Sequence, residues 1–125
     1  MKRYLFRIVA IGCLLAVSLV RAADPVKVDS KHYTVEFEND VVRILRIHYG
    51  PGEKSVMHDH PAGVAIYLTD AESLMTTPDG KSVPASGKAG AVVEAPAGSH
   101  LPQNTGKKAM ELVLVEFKQT PPVKK

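Results

Sequence analysis

The sequence predicts an all-β domain built from antiparallel strands. Short segments in which apolar and polar residues alternate recur over residues 33–118, and Gly, Pro, Asn and Asp residues separate them. After residue 22 no segment sustains the 3.6-residue helical period, and no internal repeat occurs. A chain of 125 residues has room for one such domain.

The first 22 residues are predicted to be a secretory signal peptide. Three basic residues within the first seven precede an apolar run over residues 8–20, which is too short to span a membrane easily. Ala22 is a small residue where a signal peptidase reads one, so cleavage is expected after Ala22, or failing that after Ala23. A permanent amino-terminal anchor is the alternative. We therefore expect a periplasmic or secreted protein with no membrane attachment after leader removal.

Loss of the leader changes the charge of the chain. Four of the 16 basic residues lie within it, so 12 remain against 13 acidic residues. No basic cluster with interleaved aromatic residues is left, which argues against nucleic acid as a partner. The single cysteine, Cys13, also leaves with the leader, so the mature domain has no disulfide. Without a disulfide, the hydrophobic core must stabilise the domain, and a metal or a homodimer interface would supplement it.

The elements follow in order from the periodicity and the turn signals. Residues 24–31 are mostly polar and read as an arm, residues 33–38 alternate as a half-buried strand, and residues 41–49 predict a second strand with a bulge. A short strand over 56–60 ends at Pro61, and the apolar residues 64–68 predict a strand buried on both faces.

The second half of the chain continues the same pattern. Residues 73–83 predict a hairpin around Pro78-Asp79-Gly80, and residues 86–90 a loop. Residues 91–95 predict a strand, and residues 97–99 a turn that lets His100 point inward. Residues 111–118 predict a central strand, and residues 119–125 a tail.

Three histidines are the candidate metal ligands. In a strand His58 and His60 present their imidazoles on one face while Asp59 points away, and His100 is the candidate third ligand. Neutral imidazoles ligate borderline cations such as Zn(II), Fe(II), Ni(II) or Cu(II). The alternative is a set of neutral, hydrogen-bonded core histidines. His32 and His48 have no motif around them and are expected to be exposed.

The spacing around these histidines resembles the cupin family. The first half of the first cupin motif is present as Gly52, five residues, His58, one residue and His60. The fixed residues of the second motif occur in order as Gly90, Pro96, Gly98, His100 and Asn104. One gap is short by one residue, since only Ser99 separates Gly98 from His100.

The resemblance implies a small single-domain cupin with a three-histidine site. It covers residues 41–118 and implies an antiparallel jelly-roll (double-stranded β-helix) barrel, preceded by an arm and first strand over 23–40. Val64 or Ala65 stands where the family usually has a glutamate ligand; if Val64 is the equivalent residue, its side chain is expected to face the metal. Loss of that carboxylate lowers the expected affinity for Mn(II) relative to Fe, Zn, Ni or Cu. Asn104 is expected to be structural, and Tyr67 either packs in its strand or orients a ligand.

Three functions remain open at this point. The first is a metal-dependent enzyme, such as an oxygenase, an isomerase or a small hydrolytic enzyme, that acts on a small organic molecule. The second is a non-catalytic module that binds a small ligand or a metal, and the third is a structural dimer with a vestigial site. No general acid or base is identified, because Glu94, Glu111 and Glu116 carry no assignment. Fold alone does not choose among these functions.

Overall fold

The structure is a computed structural model that describes residues 23–119, so the predicted leader and residues 120–125 of the predicted tail lie outside it. The described chain forms one short helix and nine strands. This helix is not long and apolar enough to cross a membrane. The elements in chain order are α1 (Pro25–Val28), β1 (Tyr33–Glu38), β2 (Val42–Tyr49), β3 (His58–His60), β4 (Gly63–Tyr67), β5 (Ala71–Thr76), β6 (Ser82–Gly87), β7 (Val92–Ala95), β8 (Gly98–Asn104) and β9 (Met110–Phe117).

Two antiparallel sheets enclose the core. One has the strand order β1-β2-β9-β4-β7 and the other β3-β8-β5-β6. Side chains from both sheets meet in one buried cluster, with Leu45 and Tyr49 on β2, Leu114 on β9 and Ala71 on β5. Alternation along each strand places these residues inward and their neighbours outward. The predicted all-β jelly-roll barrel is confirmed.

The amino-terminal segment differs from the predicted arm. Pro25–Val28 forms a single helical turn, because the Asp24 carboxylate caps it by accepting a hydrogen bond from the Val26 amide at 3.1 Å and Pro25 is preorganised for the first turn. The predicted bulge also lies elsewhere. The register shifts in β1, between Val35 and Phe37, while β2 pairs with β9 without interruption.

Strand β8 was missed by the sequence analysis. Its residues Pro102, Gln103 and Asn104 give no alternating apolar signal, yet β8 pairs with β3 on one side and β5 on the other. The predicted turn over 97–99 is accordingly shorter, since Gly98 already begins the strand. The predicted loop over 86–90 also begins later, because Ser86 and Gly87 belong to β6.

Strand β4 lies between β9 and β7, and its two faces have different surroundings. Gly63 lets β4 approach β9 closely, since a Cβ atom there would lie 2.1 Å from the Val115 carbonyl oxygen. Val64 and Ile66 pair with Val115 and Val113 on the outer face of the sheet, where they are only partly buried. The expectation that this segment is buried on both faces was wrong, because no other described element covers that outer face.

Candidate metal centre

Strands β3 and β8 bring the three predicted ligands together. His58 and His60 lie on one face of β3, and the antiparallel register places His100 of β8 directly opposite His58. The ring centroids are 4.8 Å apart for His58 and His60, 4.9 Å for His58 and His100, and 5.2 Å for His60 and His100. One nitrogen from each ring falls in a group whose members all lie within 4.8 Å of one another.

Burial keeps two of these imidazoles neutral. His58 is fully buried, and His100 is partly buried beside it. Burial, the dominant cause, lowers the pKa of both His58 and His100 to about 4. Both rings are therefore unprotonated at pH 7, which is the state in which an imidazole ligates a metal.

Hydrogen bonds at the far side of two rings fix which nitrogen faces the centre. The Nδ1 atom of His58 lies 2.8 Å from the Val56 carbonyl oxygen, and the Nδ1 atom of His60 lies 2.6 Å from a Glu116 carboxylate oxygen. Both partners are acceptors, so in the neutral rings each Nδ1 carries the hydrogen. The two Nε2 lone pairs then face each other at 3.1 Å, where neither can donate. A cation between them fits this arrangement.

Glu116 links the two sheets behind His60, and the sequence analysis did not assign it. It lies on β9, is 1% exposed, and bonds both His60 and the Arg43 Nε atom, each at 2.6 Å. Although burial by itself would raise the pKa of Glu116, hydrogen bonds from His60 and Arg43 hold it below its usual value. Arg43 in turn bonds both carboxylate oxygens of Asp24. The only sequence signal was an acidic residue in phase with the apolar residues Leu112 and Leu114.

His32 is buried, so the expectation of an exposed histidine was wrong. It is 6% exposed and its ring stacks on Tyr49 at a centroid distance of 4.2 Å. Its Nδ1 atom contacts the Asp29 carboxylate and its Nε2 atom lies 3.2 Å from Glu53. Contacts with these two carboxylates offset the free-energy cost of burying the His32 ring. His48, in contrast, is exposed as expected.

The strand register corrects the expectation that Val64 faces the metal. Val64 pairs with Val115 on the outer face of the five-stranded sheet, so it does not face the histidines as expected. Ala65 is the inward residue and lines the space beside them. No carboxylate of the described residues joins the three imidazoles as a fourth ligand. That corner of the candidate centre is open.

Asn104 is structural, as expected. Its side chain is 1% exposed, and its Nδ2 atom donates to the carbonyl oxygens of Tyr49, Gly50 and Lys108 at 2.8–3.2 Å. Its Oδ1 atom accepts from the Gly106 amide at 2.9 Å. Asn104 therefore ties the end of β8 to two loops and contributes nothing to the candidate centre.

A chamber of about 430 Å³ opens between the sheets next to the histidines. His60 and His100 form part of its wall, and most of the remainder is apolar, including Ala65, Met75 and Leu112. A larger groove of about 710 Å³ lies between Asp70 and Lys108, but it contains none of the three histidines. The chamber is therefore the space in which a ligand of the candidate centre would lie.

Solved structures of cupins are similar to this chain. A cupin domain from Bordetella pertussis is 27% identical with a TM-score of 0.65, over 70% of this chain and 92% of that one. A cupin family protein with a double-stranded β-helix fold from Methanocaldococcus jannaschii is 24% identical with a TM-score of 0.53, over 71% and 83%. A cupin superfamily protein from Desulfitobacterium hafniense is 16% identical with a TM-score of 0.52, over 70% and 76%.

These similarities and the site define the class of protein. No family model matches the sequence, and no curated protein matches it. The chain has the fold of the cupin superfamily. Its solved neighbours are cupin-domain proteins, and its three-histidine cluster could hold a metal ion.

Proposed function

We propose that this protein holds one divalent transition-metal ion through His58, His60 and His100 and binds a small organic molecule beside it. The observation that supports this most is the pair of Nε2 atoms of His58 and His60, which face each other at 3.1 Å with their Nδ1 hydrogens committed elsewhere. Without a cation, acceptor nitrogens of the three buried imidazoles would lack a donor or a positive charge inside the barrel.

The donor set narrows the choice of metal. Three neutral imidazoles suit Zn(II), Fe(II), Ni(II) or Cu(II), whereas Mn(II) prefers carboxylate oxygens, and none lies in the cluster. Such an ion with open positions would supply Lewis acidity, or redox chemistry if it is iron or copper. The chain itself supplies the three ligands, the Glu116 carboxylate behind His60 and the mainly apolar chamber beside them.

Two functions remain consistent with this site, an enzyme and a binding module. An enzyme such as an oxygenase is favoured by the open corner beside Ala65, where a substrate can reach the ion. A non-catalytic module is favoured because no lysine, arginine or aspartate lines the chamber in the described chain, and its one glutamate, Glu94, is exposed at the rim. Oxygen uptake by the iron-loaded protein with candidate ligands separates the two.

Metal content of the variants tests the proposal. The purified protein is expected to take up one ion per chain, and His58→Ala, His60→Ala and His100→Ala should each lower the affinity at least a hundredfold, because each removes one of three ligands. His48→Ala is the matched control, since His48 is exposed on the outer face of β2. Equal metal content in the His100→Ala protein would remove that residue from the site.

We also propose that the protein is exported and that residues 1–22 are removed. The basic start and apolar run of the leader support this. Mass spectrometry of protein from the periplasm or medium should give a chain that begins at Ala23 or Asp24. A full-length chain retained in the membrane would contradict export.

A homodimer is supported by the outer face of the five-stranded sheet. Ile44, Val115 and Val64 form one apolar row across β2, β9 and β4, and Phe37 and Phe117 beside it are 51% and 48% exposed. An apolar face of this kind usually marks an interface. We infer that a second copy covers it, because the apolar row runs unbroken across three strands and no other described element packs on it. In a twofold dimer the same face of both copies would be buried.

A further inference from the structure

The chamber beside the three histidines has a mainly apolar wall. Apart from His60, His100 and the exposed Glu94 at its rim, its wall in the described chain has no ionisable group except tyrosine. Apolar side chains from both sheets supply most of the rest, including Ile47, Met75 and Val93. A ligand with a second charge far from the metal would lose its hydration there without gaining a partner. The chamber is therefore suited to an apolar body.

Tyr67 is the exception among the hydroxyl groups in this wall. Four other hydroxyl side chains line the chamber, and each has a partner: Tyr33 and Tyr49 bond each other at 2.8 Å, Thr77 bonds the Lys81 carbonyl oxygen at 3.1 Å and Ser99 bonds Asp59 at 3.2 Å. Tyr67 is 7% exposed and its hydroxyl has no hydrogen-bond partner among residues 23–119. No fully enclosed side-chain polar atom there lacks a partner, so this hydroxyl keeps some access to solvent, and Tyr67 itself lines the chamber.

The position of the Tyr67 ring is fixed by its neighbours. A Cβ atom at Gly87 would lie 2.5 Å from the ring, so glycine at this place in β6 is what admits the phenol. Tyr67 shares the inward face of its strand with Ala65 and pairs with Leu112 of β9. Burial raises the pKa of Tyr67, which keeps the phenol protonated and able to donate.

We propose that the chamber takes a compact, mainly apolar monoanion, whose charged end lies at the metal and whose body carries an acceptor that receives a hydrogen bond from Tyr67. This rests on the proposed function, since the anionic end needs the ion. Three neutral imidazoles leave the charge of a divalent ion without a balancing carboxylate among the ligands. The 430 Å³ volume limits the body to a small molecule.

Calorimetric titration of the zinc-loaded protein tests the apolar body. Straight-chain monocarboxylates from acetate to octanoate should bind with affinity that rises up to about fourfold per methylene until the chamber is full. Matched dicarboxylates should not gain with length. Ala85→Leu, which adds volume to the wall, should shorten the longest chain that still gains affinity, whereas Ala89→Leu on the exposed loop should not. Affinity independent of chain length, or equal for dicarboxylates, would overturn the inference.

The role of Tyr67 is tested with hexanoate and its 3-, 4- and 5-oxo derivatives. The oxo isomer that binds best to the original protein should lose about five- to tenfold in affinity in Tyr67→Phe, which removes only the donor. Hexanoate itself should bind both proteins equally. Equal losses for all four acids would mean that Tyr67 only shapes the wall and would overturn its assignment as a donor.

Metal content, measured first, separates the two proposals. If one zinc ion is bound per chain and no carboxylate binds, the ligand class proposed here is wrong and the metal site stands. If no metal is bound under any loading condition, the proposed function fails, and this inference fails with it.

Discussion

Glu116 determines how His60 is presented. Its carboxylate fixes the hydrogen on the Nδ1 atom of His60 and is itself fixed by Arg43. A carboxylate behind a ligating histidine increases the basicity of the ring and restricts its rotation. The candidate centre therefore depends on a residue from the opposite sheet, although all three of its imidazoles come from β3 and β8.

Glu116→Gln is expected to weaken metal binding without removing a ligand. The substitution keeps the shape of the side chain but removes its charge, so the dissociation constant should rise about 10- to 100-fold. Competition with a chromophoric chelator measures this. Glu111→Gln is the control, because Glu111 lies on the outer face of the same strand and pairs with Arg46. Unchanged affinity in Glu116→Gln, with the fold intact by circular dichroism, would show that Glu116 only stabilises the barrel.

Ala65 and Val64 give opposite outcomes when replaced by glutamate. Ala65→Glu places a carboxylate in the chamber next to the open corner, so Mn(II) should bind better and should restore stability that the unpaired buried charge removes. Val64→Glu places the charge on the outer face, where metal has no effect on it. Thermal melts of both variants with and without Mn(II) measure the difference. Metal-dependent recovery in Val64→Glu instead would contradict the register of β4.

At the scale of elements, the segment before β1 and the loop before β3 are held together by a polar network. Asp29 bonds His32 and Ser55, and His32 reaches Glu53. Ser55 lies 3.3 Å from the Nδ1 atom of His58. Glu53 also accepts a hydrogen bond from the Gly50 amide at 2.6 Å and pairs with Lys31. The network therefore fixes the loop that leads into His58 and His60, the first two candidate ligands.

Acid is expected to weaken this network through Glu53. The Lys31 ammonium, then the Gly50 amide and His32, lower the pKa of Glu53 from 4.5 to about 2. A lowered native pKa means that the carboxylate stabilises the fold above pH 4.5 and that this contribution is lost as the pH falls toward 2. Urea midpoints of the original protein and Glu53→Gln should thus differ at pH 6 and converge near pH 2. Glu72→Gln is the control, because Glu72 is exposed on β5 and forms no ion pair with another described residue.

At the scale of the whole molecule, the two sheets play different parts. The four-stranded sheet carries the three histidines, and the five-stranded sheet supplies Glu116 from its inner face. The outer face of the five-stranded sheet carries an apolar row, Ile44, Val115 and Val64, across β2, β9 and β4. A site on one side and an uncovered apolar surface on the other allow ligand binding and association of copies without competition between them.

Light scattering is expected to give twice the mass of one chain. Val115→Lys places a charge at the centre of the outer face, where it would be buried without a partner between two copies, so this variant should be monomeric. Val83→Lys is the control, because Val83 is exposed on β6 of the other sheet. Dimeric Val115→Lys protein, or a monomeric original protein, would contradict the proposed interface.

The sequence by itself determined the strand content of most of the barrel and the identity of the three candidate ligands. Alternation and turn residues are local signals, so β1, β2 and the β5–β6 hairpin were predicted near their observed bounds. The spacing of His58 and His60 likewise follows from the period of a single strand.

The tertiary structure decided what depends on the pairing of distant segments. Strand β8 has no local signal and exists because β3 and β5 both pair with it. The inward direction of Ala65 and the position of Glu116 behind His60 follow from the register of β4 and β9, and the burial of His32 follows from its packing on Tyr49. Alternation fixes which residues share a face but not which face is buried, and only the packed sheets supply that choice.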